Sequence, residues 1–230
     1  MQIYGLNKTT LLDYPGHVAA TLFTGGCNFR CPYCHNSTLI LHPDEEQQIP
    51  EEEIFTFLRK RQGILEGVCI TGGEPTLQPD LKKFIRQIKN LGYLVKLDTN
   101  GYRPEVVREL LDACLLDYIA MDVKAAKSGY EPAAGVKLDA SRLEESMELI
   151  RSSGVDYEFR TTVVKGLHRL ADFEEIGRWL AGCRAYYLQS YREDENVLQK
   201  GYDAFSREEL EDFARAAEKN IDKVALRGVE

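Results

Sequence analysis

The chain is 230 residues long, enough to bury one sizeable core or two smaller ones. Apolar residues make up 43%, which places it among globular rather than disordered sequences, and 37 acidic against 29 basic residues leave a net charge of −8. A negative field of that size disfavours non-specific binding to nucleic acid or anionic lipid, whose phosphates must be met by clustered Lys and Arg, so neither a nucleic-acid nor a membrane partner is expected.

The segment Met1–Gly16 has no basic start followed by an apolar run, so no secretory signal is expected and the cytoplasm is the expected compartment. Apolar stretches are strand-sized, short of the roughly 20 residues a membrane-spanning helix needs. His17–Thr24 reads as the first strand, with a cysteine-bearing loop leaving its C-terminal end. Behind it Ile54, Phe57, Leu58 and Arg61 recur at helical spacing, with Pro50 suited to a first helical position. Gly67–Thr71 reads as a strand ending in Gly72–Gly73–Glu74–Pro75. A helix from Asp80 presents Leu81, Phe84, Ile85 and Ile88 on one face and stops at Gly92. A strand over Tyr93–Asp98, a helix from Pro104 to about Leu116 and a strand over Asp117–Lys124 follow. Ser141 with Glu144 reads as a capping box for a helix that stops at Gly154. Strand Tyr157–Val164, helix Asp172–Leu180 and strand Ala185–Ser190 complete six rounds, Ser206 with Glu209 caps a last amphipathic helix, and Val224–Gly228 reads as a final short strand.

Strand followed by helix, six times over, predicts an α/β fold with a parallel sheet covered by helices, either doubly wound or a (βα) barrel. Both place function at the carboxyl ends of the strands. The polar and glycine clusters sit there: Thr24–Cys27, Thr71–Glu74, Asp98–Gly101, Met121–Lys124 and Gln189–Ser190. With no repeat and no Gly/Ser linker, a single domain over 1–230 is expected, and Ala125–Asp139 is expected to be a loop beside a site.

Six cysteines in a cytoplasmic chain point to metal or redox chemistry rather than structural disulfides. Cys27, Cys31 and Cys34 have C-x3-C-x2-C spacing, and three such thiolates can wrap one corner of a [4Fe–4S] cubane. The fourth iron would stay open to a non-protein ligand, an arrangement suited to catalysis. Other readings stand beside this one. The three thiolates plus His35 could bind zinc, although His35 abuts Cys34. Cys31–His35 matches the C-x-x-C-H haem attachment pattern, whose chemistry belongs outside the cytoplasm. Cys31–Pro32–Tyr33–Cys34 matches a glutaredoxin dithiol, which leaves Cys27 unused and wants a Thr–Val–Pro segment where Thr162–Val163–Val164 stands. Cys69, Cys114 and Cys183 read as buried small hydrophobes, and His42 and His168 carry no signal.

The cysteine loop, with Tyr33 before its last cysteine, resembles the signature of the radical S-adenosylmethionine (SAM) superfamily. The resemblance implies a partial (βα)6 TIM-like barrel, one [4Fe–4S] cluster on Cys27, Cys31 and Cys34, and S-adenosylmethionine as cofactor. Gly72–Gly73–Glu74–Pro75 resembles the family motif that holds the amino group of the methionine moiety. A narrower resemblance, to glycyl-radical-enzyme activating enzymes and above all anaerobic ribonucleoside-triphosphate reductase activating proteins, runs through Thr10–Gly16, Cys34–Asn36, Asp98–Gly101 and Asp122–Lys124. It implies that Asp98, Thr99 and Asp122 lie around the cofactor carboxylate and a monovalent cation. It also implies that Lys124 contacts the cofactor in a catalytic role, that Tyr33 and His35 are cofactor-binding, and that Arg160 lies near the cofactor or peptide. Gln189 stands where the pyruvate formate-lyase activating enzyme has a histidine. The implied partners are a glycyl radical enzyme as protein substrate and a low-potential donor such as flavodoxin or ferredoxin. Taken singly, Asp98 and Asp122 read as helix caps or turn residues and Lys124 as a surface charge. A radical SAM synthase acting on a small molecule, such as a 7-deazaguanine precursor, and a non-enzymatic zinc or thiol-redox module are the alternatives.

Overall fold

A computed structural model describes residues 1–41, 43 and 47–229, so His42 lies outside the described residues. The chain gathers into two compact units, each assembled from three stretches: Met1–Asn28, Thr38–Ala120 and Arg142–Asp156 in the first, and Phe29–Ser37, Met121–Ser141 and Tyr157–Glu230 in the second.

The first unit opens with a strand that the sequence reading lacks, β1 (Ile3–Thr10), antiparallel to β2 (Ala19–Thr24) with Leu6 opposite Leu22. Its register shifts twice, and only Ile3 and Thr10 are buried, so no two-residue alternation marks it in the sequence. After α1 (Ser37–Leu41) and α2 (Glu51–Lys60) come β3 (Gly67–Gly72), α3 (Leu81–Asn90), β4 (Leu94–Thr99) and α4 (Pro104–Asp112). β2, β3 and β4 are parallel, and their register puts Thr21, Cys69 and Lys96 in one row. Val68, Ile70, Val95 and Leu97 alternate with that row and are buried, as are Ile54, Phe55 and Leu58 of α2 and Leu81, Phe84, Ile85 and Ile88 of α3. Each such side chain contributes about 1.5–3 kcal/mol when fully buried. Phe55 rather than Phe57 carries the α2 face, packing on Phe84 at 5.1 Å, while Phe57 lies under the Arg61 guanidinium. Asp117 ties three elements together, accepting from Lys89 Nζ at 2.7 and 2.6 Å and from Val95 N–H at 2.7 Å.

The strand β5 (Tyr118–Asp122) carries the chain from the first unit into the second. The second unit continues with α5 (Tyr130–Ala134), then β6 (Asp156–Val163), α7 (Leu170–Trp179), β7 (Tyr186–Ser190), α8 (Arg207–Glu218) and β8 (Val224–Arg227). Between α5 and β6 runs α6 (Ala140–Ser152), most of which belongs to the first unit. Within each unit strand order follows chain order. β6, β7 and β8 are parallel, with Arg160 beside Tyr187 and Gln189 beside Arg227. α7 and α8 pack closely at Gly177, where a Cβ would meet the Ala217 carbonyl oxygen at 2.9 Å, and Phe173 stacks on Phe213 at 4.8 Å.

Some local readings need correction. Asp139, not Ser141, caps α6, its Oδ1 accepting from the Ser141 N–H at 3.0 Å. α4 ends at Asp112, and Cys114 follows it exposed with φ +52°, so it is not a buried hydrophobe. The stretch Ala125–Asp139 holds α5, which ends on Gly135 at φ +69°. Ser206 and Glu209 do form the expected capping box. Among the described residues no helix is long and apolar enough to cross a membrane.

Candidate active site

In the first unit the site is built at the ends of β2, β3 and β4. Gly73 packs so tightly on the turn after β2 that an added Cβ would lie 2.0 Å from the Gly26 carbonyl oxygen, which explains glycine there. The Gly73 and Glu74 N–H groups donate to the Thr24 and Gly26 carbonyls, both at 2.8 Å. This pins the glycine turn to the backbone just before Cys27. Glu74 is 1% exposed, and its carboxylate meets four donors, three of them on one oxygen. Oε1 accepts from the Thr76 N–H at 3.0 Å, Thr76 Oγ1 at 2.6 Å and Thr99 Oγ1 at 2.8 Å, and Oε2 accepts from the Asn100 N–H at 2.7 Å. Burial raises its carboxyl above the ordinary range while those bonds oppose the rise. All four donors are neutral, and among the described residues no cation pairs with Glu74, so a cationic ligand would complete it. Asn100 also donates from Nδ2 to Asn28 Oδ1 at 2.8 Å and lies 3.9 Å from Cys27 Sγ. Asp98 is paired with Lys96.

In the second unit Cys31 and Tyr33 are buried and Cys34 is half-buried. Burial pushes the Cys31 thiol up to about 11, with the Lys124 ammonium opposing, and raises Cys34 as well. A soft metal centre taking these sulfurs as thiolates must therefore displace protons. Asp122, Lys124 and Arg160 form one ion-paired cluster, Arg160 Nε donating to Oδ1 at 2.6 Å and Lys124 Nζ to Oδ2 at 2.9 Å. Burial works against the Asp122 charge, but Arg160 and Lys124 outweigh it and hold the carboxyl well below the usual range. Burial likewise opposes the Lys124 charge, and Asp122 outweighs it. His168 Nε2 donates to the Lys124 carbonyl at 2.8 Å while Nδ1 accepts from the Val164 N–H at 3.0 Å. Among the described residues the buried Tyr33 hydroxyl has no hydrogen-bond partner, and a bound ligand would supply one.

The loop between β7 and α8 straps onto the cysteine loop. Leu198 N–H donates to the Cys34 carbonyl at 3.0 Å, Gln199 N–H to the Pro32 carbonyl at 2.8 Å, and Ser37 Oγ to the Asn196 carbonyl at 2.5 Å. His35 stacks on Tyr191 with ring centroids 5.8 Å apart and places Nε2 2.7 Å from the Arg192 carbonyl. Gln189 is half-buried on β7. The structure thus brings together Gly72, Gly73, Glu74, Thr99 and Cys27 in one unit, and Cys31, Tyr33, Asp122, Lys124 and Arg160 in the other. Among the described residues no three His, Cys, Asp or Glu side chains converge on a point that would hold a single metal ion. The ligands of a cubane bind different irons and need not converge so. Asn28 and Lys96 escaped the sequence reading, Asn100 entered it only within the Asp98–Gly101 cluster, and His168 carries no signal in it. Lys96 had a signal, a lysine set between the apolar Val95 and Leu97 in mid-strand, whereas the strap had none.

A thiol-bearing loop after one strand and a buried carboxylate on a glycine turn after the next define a cofactor-dependent α/β enzyme. The model of the Radical SAM superfamily matches residues 21–180, more than half of the chain, and the chain belongs to that superfamily. Membership implies a [4Fe–4S] cluster and S-adenosylmethionine. An inferred glycyl-radical enzyme activating enzyme of Methanocaldococcus jannaschii is 32% identical over 99% of this chain and 96% of its own length. The pyruvate formate-lyase-activating enzyme of Clostridium pasteurianum is 28% identical over 78% of this chain and 74% of its own. A 7-carboxy-7-deazaguanine synthase of Methanopyrus kandleri is 28% identical over 81% and 78%. Among solved structures, Streptococcus suis SuiB bound to S-adenosylmethionine matches 88% of this chain with a TM-score of 0.69 at 16% identity, and this chain spans about half of it, 48%. The fold is that of the radical SAM domain, the α/β class whose partial (βα)6 TIM-like barrel the motifs had implied.

Proposed function

We propose that this protein activates a glycyl radical enzyme of the anaerobic ribonucleotide reductase or formate-lyase type. The observation that carries the reading is Glu74: a buried carboxylate with neutral donors only, on a glycine turn pinned beside Cys27. The near full-length similarity to an inferred activating enzyme supports the choice of a protein substrate.

When bound, the cluster and S-adenosylmethionine supply one-electron reductive cleavage and a 5′-deoxyadenosyl radical that takes the Cα hydrogen of a partner glycine. Cys27, Cys31 and Cys34 would hold the cluster as thiolates, and Lys124 eases the deprotonation of Cys31. Glu74 would accept from the methionine ammonium, and its four donors keep the carboxylate aimed. Asp98 and Thr99 in the first unit, and Asp122, Lys124, Arg160, Tyr33, His35 and Gln189 in the second, are the residues that would bind the rest of the cofactor, with Arg160 the one that would also serve the peptide. The low-potential electron comes from a donor such as flavodoxin or ferredoxin, and the setting is the anaerobic cytoplasm.

The test is anaerobic reconstitution followed by dithionite and S-adenosylmethionine, with 5′-deoxyadenosine quantified. Turnover is expected for the parent and for Cys183→Ala and should vanish in Cys31→Ala; no product from a fully loaded parent would end the reading. Adding a glycyl radical enzyme should produce a stable glycyl radical by electron paramagnetic resonance. Consumption of a 7-deazaguanine precursor instead would replace the partner with a small molecule.

A further inference from the structure

Lys96 is nearly sealed off, with 2% of its side chain exposed, in the middle of a parallel strand. Its neighbours Val95 and Leu97 turn to the opposite face and are fully buried. Burying an ammonium costs stability unless its charge is met. It is met here by Asp98, two residues on and so on the same strand face. Cys69, in register on β3, places its sulfur 3.8 Å from Nζ, and the Tyr118 ring lies 5.9 Å away. Thr99 and Asn100 follow Asp98 directly and hold Glu74, so Lys96 fixes a carboxylate at the strand end that also aims the ammonium acceptor. The motif resemblance had placed a monovalent cation beside Asp98 and Asp122. In this chain Asp98 carries Lys96, and Asp122 carries both Lys124 and Arg160. A carboxylate already met by the protein's own cation is a poor ligand for an alkali ion.

We propose that Lys96 is a positioning residue for Asp98, serving as a built-in cation, so that S-adenosylmethionine binding by this protein does not depend on sodium or potassium. The inference rests on the radical SAM reading and deepens the account of its cofactor site. Its test is anaerobic isothermal titration of the cluster-loaded protein with S-adenosylmethionine in sodium, potassium or choline chloride at one ionic strength. For the parent the dissociation constant should agree within about twofold across the three salts. A parent that binds about tenfold more weakly in choline would overturn the proposal, and this comparison needs no variant to fold. Lys96→Gln should bind about tenfold more weakly in choline and recover most of that loss in sodium or potassium, because a mobile ion can then stand where the ammonium stood. Unchanged binding by Lys96→Gln in choline, or a loss that no salt repairs, would each reduce Lys96 to packing and overturn the proposal. Absence of binding by the loaded parent in every salt would instead bring down the cofactor reading itself, a distinguishable result.

Discussion

Glu74 concentrates more of this site's chemistry than any other side chain. Its two oxygens face four donors, so replacing one oxygen by an amide puts donor against donor wherever the amide points. Glu74→Gln should lower unfolding free energy by about 1–3 kcal/mol, read from urea denaturation, and weaken S-adenosylmethionine binding. Unchanged stability would mean that the four donors do not depend on a carboxylate. His168 yields a pH prediction. Burial holds its imidazole below the ordinary value of 6.5, so the unfolded chain takes up a proton before the folded one does. Its contribution is therefore complete above about pH 6.5 and is lost as pH falls from there through the lowered folded-state value, at up to about 1.4 kcal/mol per pH unit. Urea midpoints at pH 7.5, 6.5 and 5.5 should fall more steeply for the parent than for His168→Gln. Equal slopes would show that the ring does not stay neutral in the fold.

Elements were legible in proportion to how local their causes are. β3, α3 and β4 carry their patterns within themselves: Leu81, Phe84, Ile85 and Ile88 repeat at helical spacing and are all buried. The capping box at Ser206 is likewise a local motif, with Ser206 accepting from the Glu209 N–H at 3.2 Å while Glu209 accepts in return from the Ser206 N–H at 2.7 Å. Ser206→Ala should cost about 1 kcal/mol in a urea titration, and an effect indistinguishable from zero would show that α7 alone holds α8 in place. What stayed hidden depends on distant partners. β1 is a strand because β2 offers it an edge, not because Ile3–Thr10 alternates. The β7–α8 strap is defined by backbone bonds to Pro32 and Cys34, and backbone groups leave no trace in a side-chain pattern. Cysteine spacing and the glycine turn identified the site's chemistry, but Asn100, Lys96 and His168 matter through contacts that only the folded chain brings about.

The whole molecule is less linear than its alternating pattern implies. Neither unit is a continuous piece of chain, and the first is completed by a return of the chain after β5. That return is α6, which buries Leu143, Met147 and Ile150 and brings Ser146 Oγ to the Gly101 carbonyl at 2.5 Å. Arg142 adds a bond to the Tyr102 carbonyl at 3.1 Å and an ion pair to Glu105 at 2.7 Å. A fragment ending at Ala120 holds β1 to β4 yet lacks this cover, exposing apolar surface and stripping the Gly101 carbonyl of a buried donor. Such a fragment should show no cooperative urea transition, whereas one ending at Asp156 contains every residue of the first unit and should regain one. A cooperative transition in the shorter fragment would show that α6 is dispensable and that β1–β4 with α2, α3 and α4 close a core alone. Asp98–Gly101, the strand end on which the cofactor reading leans, is thus held from both sides of the chain's excursion: Thr99 and Asn100 by Glu74 before it, Gly101 by Ser146 after it.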